Sequence, residues 1–319
     1  MNLVVATHGH CFDGLASAVV FTRLLRAAEG PQVKAVYRGC GYGEGQLVPS
    51  DALFTGDQNA ILDYRFVPSD RLTWYFDHHR TAFVTPADRE LFESRRATGK
   101  YFFDADMTSC TKLVAGIAEK NFGVDVSDLG EMIRWADVID SAAFDTPEQA
   151  LDRSNPVLRL AAVVERHGDD AFLARVVPEL IQKPLAEVAA GPEVAKRYEK
   201  LGAQHERFVR RVRERAVRMG RVVFVDLTDE PLETIGKFVT YALYPDAVYS
   251  VIVGKLKNAA KISVGYNPWS GKPCDFDISA ICARHGGGGH RVVGAVQRKA
   301  SELAETREIA LSIARELAG

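Results

Sequence analysis

Apolar positions come first as a short unbroken run, Leu3 to Ala6, which reads as a strand LVVAT over 3–7. The polar turn HGHCFD follows, then a helical period from about Gly14 to Ala28, closed by Gly30-Pro31. VKAVYRG (33–39), AILDY (60–64) and LTWYFD (72–77) read as further strands, the last two ending in or next to Asp. Strands alternating with helices predict a parallel sheet covered on both faces, with ligands bound at the carboxyl ends of its strands. His and Asp residues stand at those ends.

Helical spacing dominates from Thr108 to about Lys183, including LGEMIRWADVIDSA (129–142). Gly191-Pro192 opens a long helix whose apolar residues Val194, Tyr198, Leu201, Phe208, Val212 and Met219 fall at near-heptad spacing. The pattern then restarts with a strand over 222–227, a helix over about 232–243, strands over 249–256 and 260–266, a short helix over 277–285, a glycine run and a final helix. The expected fold class is α/β with two domains: residues 1–186 and a smaller 220–319, joined by a connecting helix over 187–219.

Composition narrows this little: 319 residues, 47 % apolar and 26 % charged, is an ordinary globular chain. At about 150 residues per domain, two domains are expected. The balance of 40 Lys plus Arg against 42 Asp plus Glu argues against binding long nucleic acid through many phosphate contacts. Arg207, Arg210, Arg211, Arg213, Arg215 and Arg218 line the connecting helix, where a solvated face with ion pairs is the simpler account. Five scattered cysteines without a CxxC pair indicate neither a disulfide framework nor a zinc finger, which favours a cytoplasmic setting. No run is long enough for a signal-peptide core or a membrane span.

Metal-ligand residue types form four islands: His8-x-His10-x2-Asp13-Gly14, Asp63, Asp77-His78-His79, and Asp137 with Asp140. Mixed imidazole and carboxylate suits Mn²⁺, Fe²⁺, Co²⁺ or Zn²⁺ better than Ca²⁺. A two-metal site needs a bridging carboxylate, and Asp63 at a central strand end is the candidate. Three titratable groups directly after LTWYF at a buried strand end carry a desolvation cost that metal binding or catalysis would explain. In the second domain, Gly287, Gly288 and Gly289 before His290 and Arg291 would let the backbone approach an anion. A plain turn is the competing account.

These motifs resemble the DHH phosphoesterases, a family that includes RecJ-type exonucleases, nanoRNases, pAp phosphatases, cyclic-di-AMP phosphodiesterases and exopolyphosphatase-like proteins. Asp77-His78-His79 matches the tripeptide that names the family, and the glycine run with His290 is similar to the GGGH motif of the associated C-terminal domain. The resemblance implies that His8, Asp13, Asp63, His78 and Asp137 are metal ligands, Asp137 being preferred to Asp140 because Ala136-Asp137-Val138 resembles the family's ADV stretch. It implies that Asp77 supports the third motif, and that His79 ligates or contacts the reacting phosphate. The first motif departs from the common H-x3-D-x-D: Leu15 stands where a second carboxylate would fall. It is closer to a branch reading H-x-N-C-x-D-G, with His10 in place of Asn. The resemblance offers His10 in place of the missing carboxylate, while Cys11 reads as a ligand or, more simply, as a small residue in a tight turn.

What the resemblance implies is hydrolysis of phosphoester bonds by water activated between two divalent ions, Mn²⁺ first, with Mg²⁺, Co²⁺ or Zn²⁺ as alternatives. Expected substrates are short oligonucleotides, linear or cyclic dinucleotides, pAp or polyphosphate, with Arg80 and the glycine loop as phosphate contacts. Tyr266 or Trp269 could stack on a base, loop packing being the alternative. A second copy of the chain is an optional partner, and no membrane is expected. The competing readings are an exopolyphosphatase-like hydrolase and a non-catalytic metal- or nucleotide-binding module.

Overall fold

The computed structural model describes residues 1–42, 46–232, 236 and 238–319. These form two compact units, Met1–Phe144 with Arg153–Leu201, and Asp145–Asp152 with Gly202–Gly319. The strands are β1 (Asn2–His8), β2 (Lys34–Cys40), β3 (Gln58–Leu62), β4 (Trp74–Asp77), β5 (Tyr101–Phe103), β6 (Ala216–Met219), β7 (Val222–Pro231), β8 (Tyr249–Lys255), β9 (Ala259–Tyr266), β10 (Gly288–His290) and β11 (Val293–Lys299). The helices are α1 (Phe12–Glu29), α2 (Pro86–Arg95), α3 (Cys110–Phe122), α4 (Gly130–Asp140), α5 (Pro147–Leu151), α6 (Pro156–His167), α7 (Asp170–Gln182), α8 (Leu185–Ala189), α9 (Pro192–Arg215), α10 (Phe238–Leu243), α11 (Ile278–Ala283) and α12 (Leu303–Ala318). None is long and apolar enough to cross a membrane.

The first unit carries a parallel sheet in the order β2-β1-β3-β4-β5. The strand order reverses at β1, the position where such sheets open a crevice at their carboxyl ends. Its central strands are buried on both faces, which is why they read as continuous apolar runs. Most of α1 is buried too, and it packs on α3, α4 and α7. The elements α2, β5 and α8 have no counterpart among the expected ones, and in the second unit neither do the strands β6, β10 and β11. The start of α2 does carry a signal: Thr85 caps it reciprocally with Asp88, and Pro86 occupies the first turn.

In the second unit the sheet order is β10-β11-β9-β8-β7-β6, antiparallel except between β7 and β8. One core joins this sheet to α11 and α12 through Val251, Val253, Ile262, Val264, Ile281 and Ile313, and a second includes Phe208, Val212, Val225 and Ile252. The helix opened by Gly191-Pro192 ends at Arg215, short of the expected Met219. Ala216–Met219 instead pairs with β7 through a tight turn at Gly220, whose φ of 55° suits glycine. The arginines of this region are largely neutralised: Arg207 pairs with Glu230, Arg211 and Arg215 with Asp229 at 2.5 and 2.7 Å, and Arg218 with Asp246 at 3.1 Å. Of the helix expected over 232–243, α10 covers Phe238–Leu243, while 233–235 and 237 lie outside the described residues.

Candidate metal centre

Sheet register brings three of the four islands level. Thr7 pairs with Leu62, and Leu62 with Phe76, so the next residues, His8, Asp63 and Asp77, form a row across the ends of β1, β3 and β4. Asp63 leaves β3 in a left-handed conformation, φ 55°, which Asp tolerates better than most residues. Its N–H donates to the Phe76 carbonyl at 3.0 Å, fixing the turn. Its side chain is 1 % exposed, and neither carboxylate oxygen has a hydrogen-bond partner among the described residues.

Imidazoles face that carboxylate without bonding to it. His8 Nδ1 lies 3.7 Å from Oδ2, while His78 Nε2 and His79 Nδ1 lie 3.6 and 3.8 Å from Oδ1. Asp13 Oδ2 and Asp140 Oδ2 are 3.8 and 3.4 Å from the same His78 nitrogen, which is itself buried and unpartnered. Donors bound to one ion at about 2.1 Å stand about 3.0–3.4 Å apart, so these spacings lie close to those of a coordination sphere and beyond hydrogen bonding. Two ligand groups emerge around Asp63 and His78: His8, Cys11 and Asp63 on one side, and Asp13, His78 and Asp140 on the other. Asp63 also groups with His78 and His79, which puts its carboxylate where a bridge is needed. The residues therefore fit a pair of divalent ions.

A surrounding layer orients these groups. His78 Nδ1 stands 3.1 Å from the Met107 carbonyl. A carbonyl only accepts, so Nδ1 carries the proton and Nε2 turns its lone pair to the site when the ring is neutral. Asp77 is fully buried and accepts from Tyr75 Oη at 3.0 Å, from the His78 N–H at 2.9 Å and from His79 Nδ1 at 2.7 Å. Asp13 accepts from the N–H groups of Cys110 and Thr111 at 2.7 and 2.9 Å, at the positive end of α3. Gly14 is required because a Cβ there would stand 2.1 Å from the His8 carbonyl oxygen.

Burial and the charge of Asp63 push Asp13 well above the usual carboxylate range and Asp140 up to about 6. Burial would raise Asp63 as well, but the imidazoles around it outweigh burial and hold it low. His78 loses solvation, yet Asp63, Asp13 and the Met107 carbonyl together push it up to about 9. His79 is raised chiefly by its hydrogen bond to Asp77. Burial, then Asp63 and Asp13, push the Cys11 thiol well up. Two buried carboxylates crowded by a third that is partly exposed, Asp140, are the electrostatic setting that a cation relieves.

Several expected residues are placed elsewhere. Asp137 accepts from Thr108 Oγ1 and pairs with Lys112 at 3.1 Å, so α4 turns Asp140 rather than Asp137 toward His78. His10 is exposed, has φ 59° and places Nδ1 3.2 Å from the Glu165 carbonyl. That position needs left-handed backbone, which Asn and His both accept. The ligand group beside His8 contains Cys11 instead, and Leu15 is core. Arg80 is exposed, 3.9 Å from Asp106. Trp269 packs on Phe238 and Tyr241, and Tyr266 packs on Tyr249 with its hydroxyl donating to the Lys272 carbonyl.

The glycine run is only partly a loop: Gly286 closes the turn after α11 and Gly287 leads into a strand. Gly288–His290 forms the edge strand β10, paired with β11 so that Gly289 opposes Gly294 and His290 opposes Val293. A Cβ on Gly287 would stand 2.1 Å from the Ala295 oxygen, and one on Gly289 2.2 Å from the Val293 oxygen, whereas Gly288 has open space. Close approach of two strands therefore accounts for Gly287 and Gly289. Gly288, His290 and Arg291 are exposed.

No family model matches the sequence, and no curated protein matches it at a significant level. Among solved structures the chain is similar over its whole length to 99 % of the pGpG-specific phosphodiesterase PggH from Vibrio cholerae, with 20 % identity and a TM-score of 0.68. It is similar over 98 % of its length to 86 % of the DHH domain of a member of the s1p family of ribosomal proteins, with 14 % identity and a TM-score of 0.57. RecJ from Thermus thermophilus in complex with Mn²⁺ matches 99 % of the chain with 52 % of its own, at 11 % identity and a TM-score of 0.57. With Asp77-His78-His79 at the end of β4 of a five-stranded parallel sheet, and a second α/β unit following, this chain has the fold of these DHH-domain structures.

Proposed function

We propose that the chain is a divalent-metal-dependent phosphoesterase that hydrolyses a phosphodiester of a short oligonucleotide or small nucleotide, a linear dinucleotide being the first substrate to test. The observation that carries this reading is the Asp63 carboxylate, buried and without hydrogen bonds, among three imidazoles, a thiol and two further carboxylates. Likeness in fold to a pGpG-specific phosphodiesterase supports the substrate class.

In this reading His8, Cys11 and Asp63 would hold one divalent ion, and Asp13, His78 and Asp140 a second that Asp63 would share. Such ions, when bound, acidify water and neutralise charge on a phosphoryl group. The protein's own groups do the rest. Asp77 fixes His79 with Nδ1–H toward the carboxylate, leaving Nε2 to stabilise the phosphoryl oxygens or protonate the leaving oxygen. Met107 and the amino terminus of α3 hold His78 and Asp13 in place before substrate arrives. In the second unit, the open edge of β10 with Gly288, His290 and Arg291 is the proposed grip for a substrate phosphate.

The deciding assay compares a 5′-phosphorylated dinucleotide, pAp, a cyclic dinucleotide and polyphosphate with and without Mn²⁺. Turnover of the dinucleotide that EDTA abolishes is the expected result. A sample that binds Mn²⁺ and hydrolyses none of these would overturn the enzyme reading.

A further inference from the structure

Beside the metal centre lies an aromatic arrangement that the sequence reading did not anticipate. Tyr42, two residues past β2, stacks on Tyr64, the residue after Asp63, with ring centroids 4.3 Å apart and planes within 8°. Tyr64 is completely buried and its hydroxyl donates to the Gly41 carbonyl at 2.8 Å. Tyr42 is 53 % exposed, and its hydroxyl accepts the Arg65 N–H at 3.1 Å. One face of Tyr42 is thus seated on a fixed ring.

Among the described residues, the neighbours do not cover the other face. The Arg65 guanidinium carbon is 5.4 Å from the Tyr42 centroid and 5.9 Å from that of Tyr64. The His8 ring is 5.6 and 6.3 Å from the same two centroids. A group lying over the outer face of Tyr42 would be several ångströms farther from Tyr64 than from Tyr42. These near-equal distances put both groups at the edge of the stack, between the two ring planes. The exposed half of Tyr42 is therefore its outer face, held flat and adjoining His8, one of the residues grouped with Asp63.

We propose, resting on the phosphoesterase reading above, that the outer face of Tyr42 is the stacking platform for a nucleobase of the substrate. Every base offers a π face, and base–aromatic stacking needs a flat partner that loses little freedom on binding. The Tyr64 stack and the Arg65 hydrogen bond supply that rigidity. A nucleotide seated there keeps its phosphate within reach of the Asp63 carboxylate, whereas polyphosphate would leave the platform unused. Arg65 pairs with no acid among the described residues, so its guanidinium is left for acceptors on the bound nucleotide.

The test uses a 5′-phosphorylated dinucleotide carrying 2-aminopurine and a phosphorothioate link, whose fluorescence is quenched when the base stacks. Wild-type protein with Mn²⁺ quenches it. Tyr42→Leu loses the quenching and raises Kd and KM about 5- to 100-fold with a much smaller change in kcat, the range expected for one lost base stack. Tyr42→Phe and Tyr42→Trp, which keep a ring, remain within about threefold of wild type. Tyr42→Met, which keeps Tyr64 covered, stands in if the Leu variant does not fold.

Absence of quenching by the wild type, or equal quenching and KM in the Leu or Met variant, overturns the platform. So does a Phe variant as weak as Leu, because the hydroxyl bond and not the ring face would then matter. Hydrolysis of the unmodified dinucleotide is scored separately. Quenching without hydrolysis removes the phosphoesterase reading and leaves the platform, while hydrolysis without quenching removes the platform alone.

Discussion

Oδ1 of Asp63 lies 3.6 Å from Nε2 of His78, and although both atoms are buried, neither has a hydrogen-bond partner among the described residues. Buried polar atoms in folded proteins are nearly always satisfied, and each orphan costs about 1–3 kcal/mol. A cation coordinated by both atoms would relieve the two orphans that face one another across this gap.

Saturating Mn²⁺ is therefore expected to stabilise the protein. At a hundredfold excess over Kd the gain is about 2.7 kcal/mol, or about 5–10 °C in Tm for a unit of this size. Asp63→Asn keeps a residue that accepts the left-handed backbone while removing the charge. It should fold, show no Mn²⁺-dependent rise in calorimetry, and lose activity by about 10²–10³-fold or more. A full Tm shift in this variant would remove Asp63 from the ion's coordination.

Paired substitutions separate the residues that meet at the site from their neighbours in sequence. Asp140→Asn should weaken Mn²⁺ binding by at least about 10–100-fold, and Asp137→Asn by much less, because Asp137 is occupied by Thr108 and Lys112. With Co²⁺ in place of Mn²⁺, the wild type should show sulfur-to-metal charge-transfer absorption. Cys11→Ser should abolish it and His10→Asn should keep it. A band that survives in the serine variant would exclude the thiol as a ligand.

Metal affinity should rise with pH. In the metal-free protein His78 is pushed up to about 9, so at neutral pH its ring carries a proton that must leave before Nε2 can coordinate. The Cys11 thiol, pushed well up, must also lose its proton. Binding thus releases protons, and affinity falls as pH drops through and below 9, by about tenfold per pH unit for each proton released. Isothermal titration in buffers of different ionisation enthalpy counts those protons, and a count of zero near pH 7 contradicts the assignment.

Much of this centre was legible in the sequence because strand ends are legible. Short apolar runs closing in His8, Asp63 and Asp77 belong to adjacent parallel strands, and the sheet register then sets them side by side. The choice between Asp137 and Asp140 was not legible, since it depends on how α4 is rotated against the sheet. Nor was Tyr42, whose role comes from stacking on a residue 22 positions later, beyond a different strand. Trp269 and Tyr266 read as exposed loop aromatics until their packing partners are known. The glycine run carries no strand signal because glycine is poor in strands, and only the partner strand β11 shows why a bare backbone is needed there.

That glycine run yields the last prediction, because two of its uses place different demands on neighbouring residues. If glycines serve strand pairing alone, substitutions matter where a Cβ would strike β11. Gly287→Ala puts a carbon within 2.1 Å of the Ala295 oxygen and should cost about 1–3 kcal/mol in urea unfolding, the usual scale of overpacking. Gly288 has nothing within 4 Å, so Gly288→Ala should leave stability within about 0.5 kcal/mol. If the open edge of β10 also receives a phosphate, the same Gly288→Ala narrows the approach to its backbone and raises KM several-fold for a 5′-phosphorylated dinucleotide, on the order of one weakened hydrogen bond. His290→Ala should act in the same direction, and the two effects should not add fully because both residues would touch one phosphate. A stable Gly288→Ala protein with the KM of the wild type would confine the glycines to packing and move the phosphate grip elsewhere.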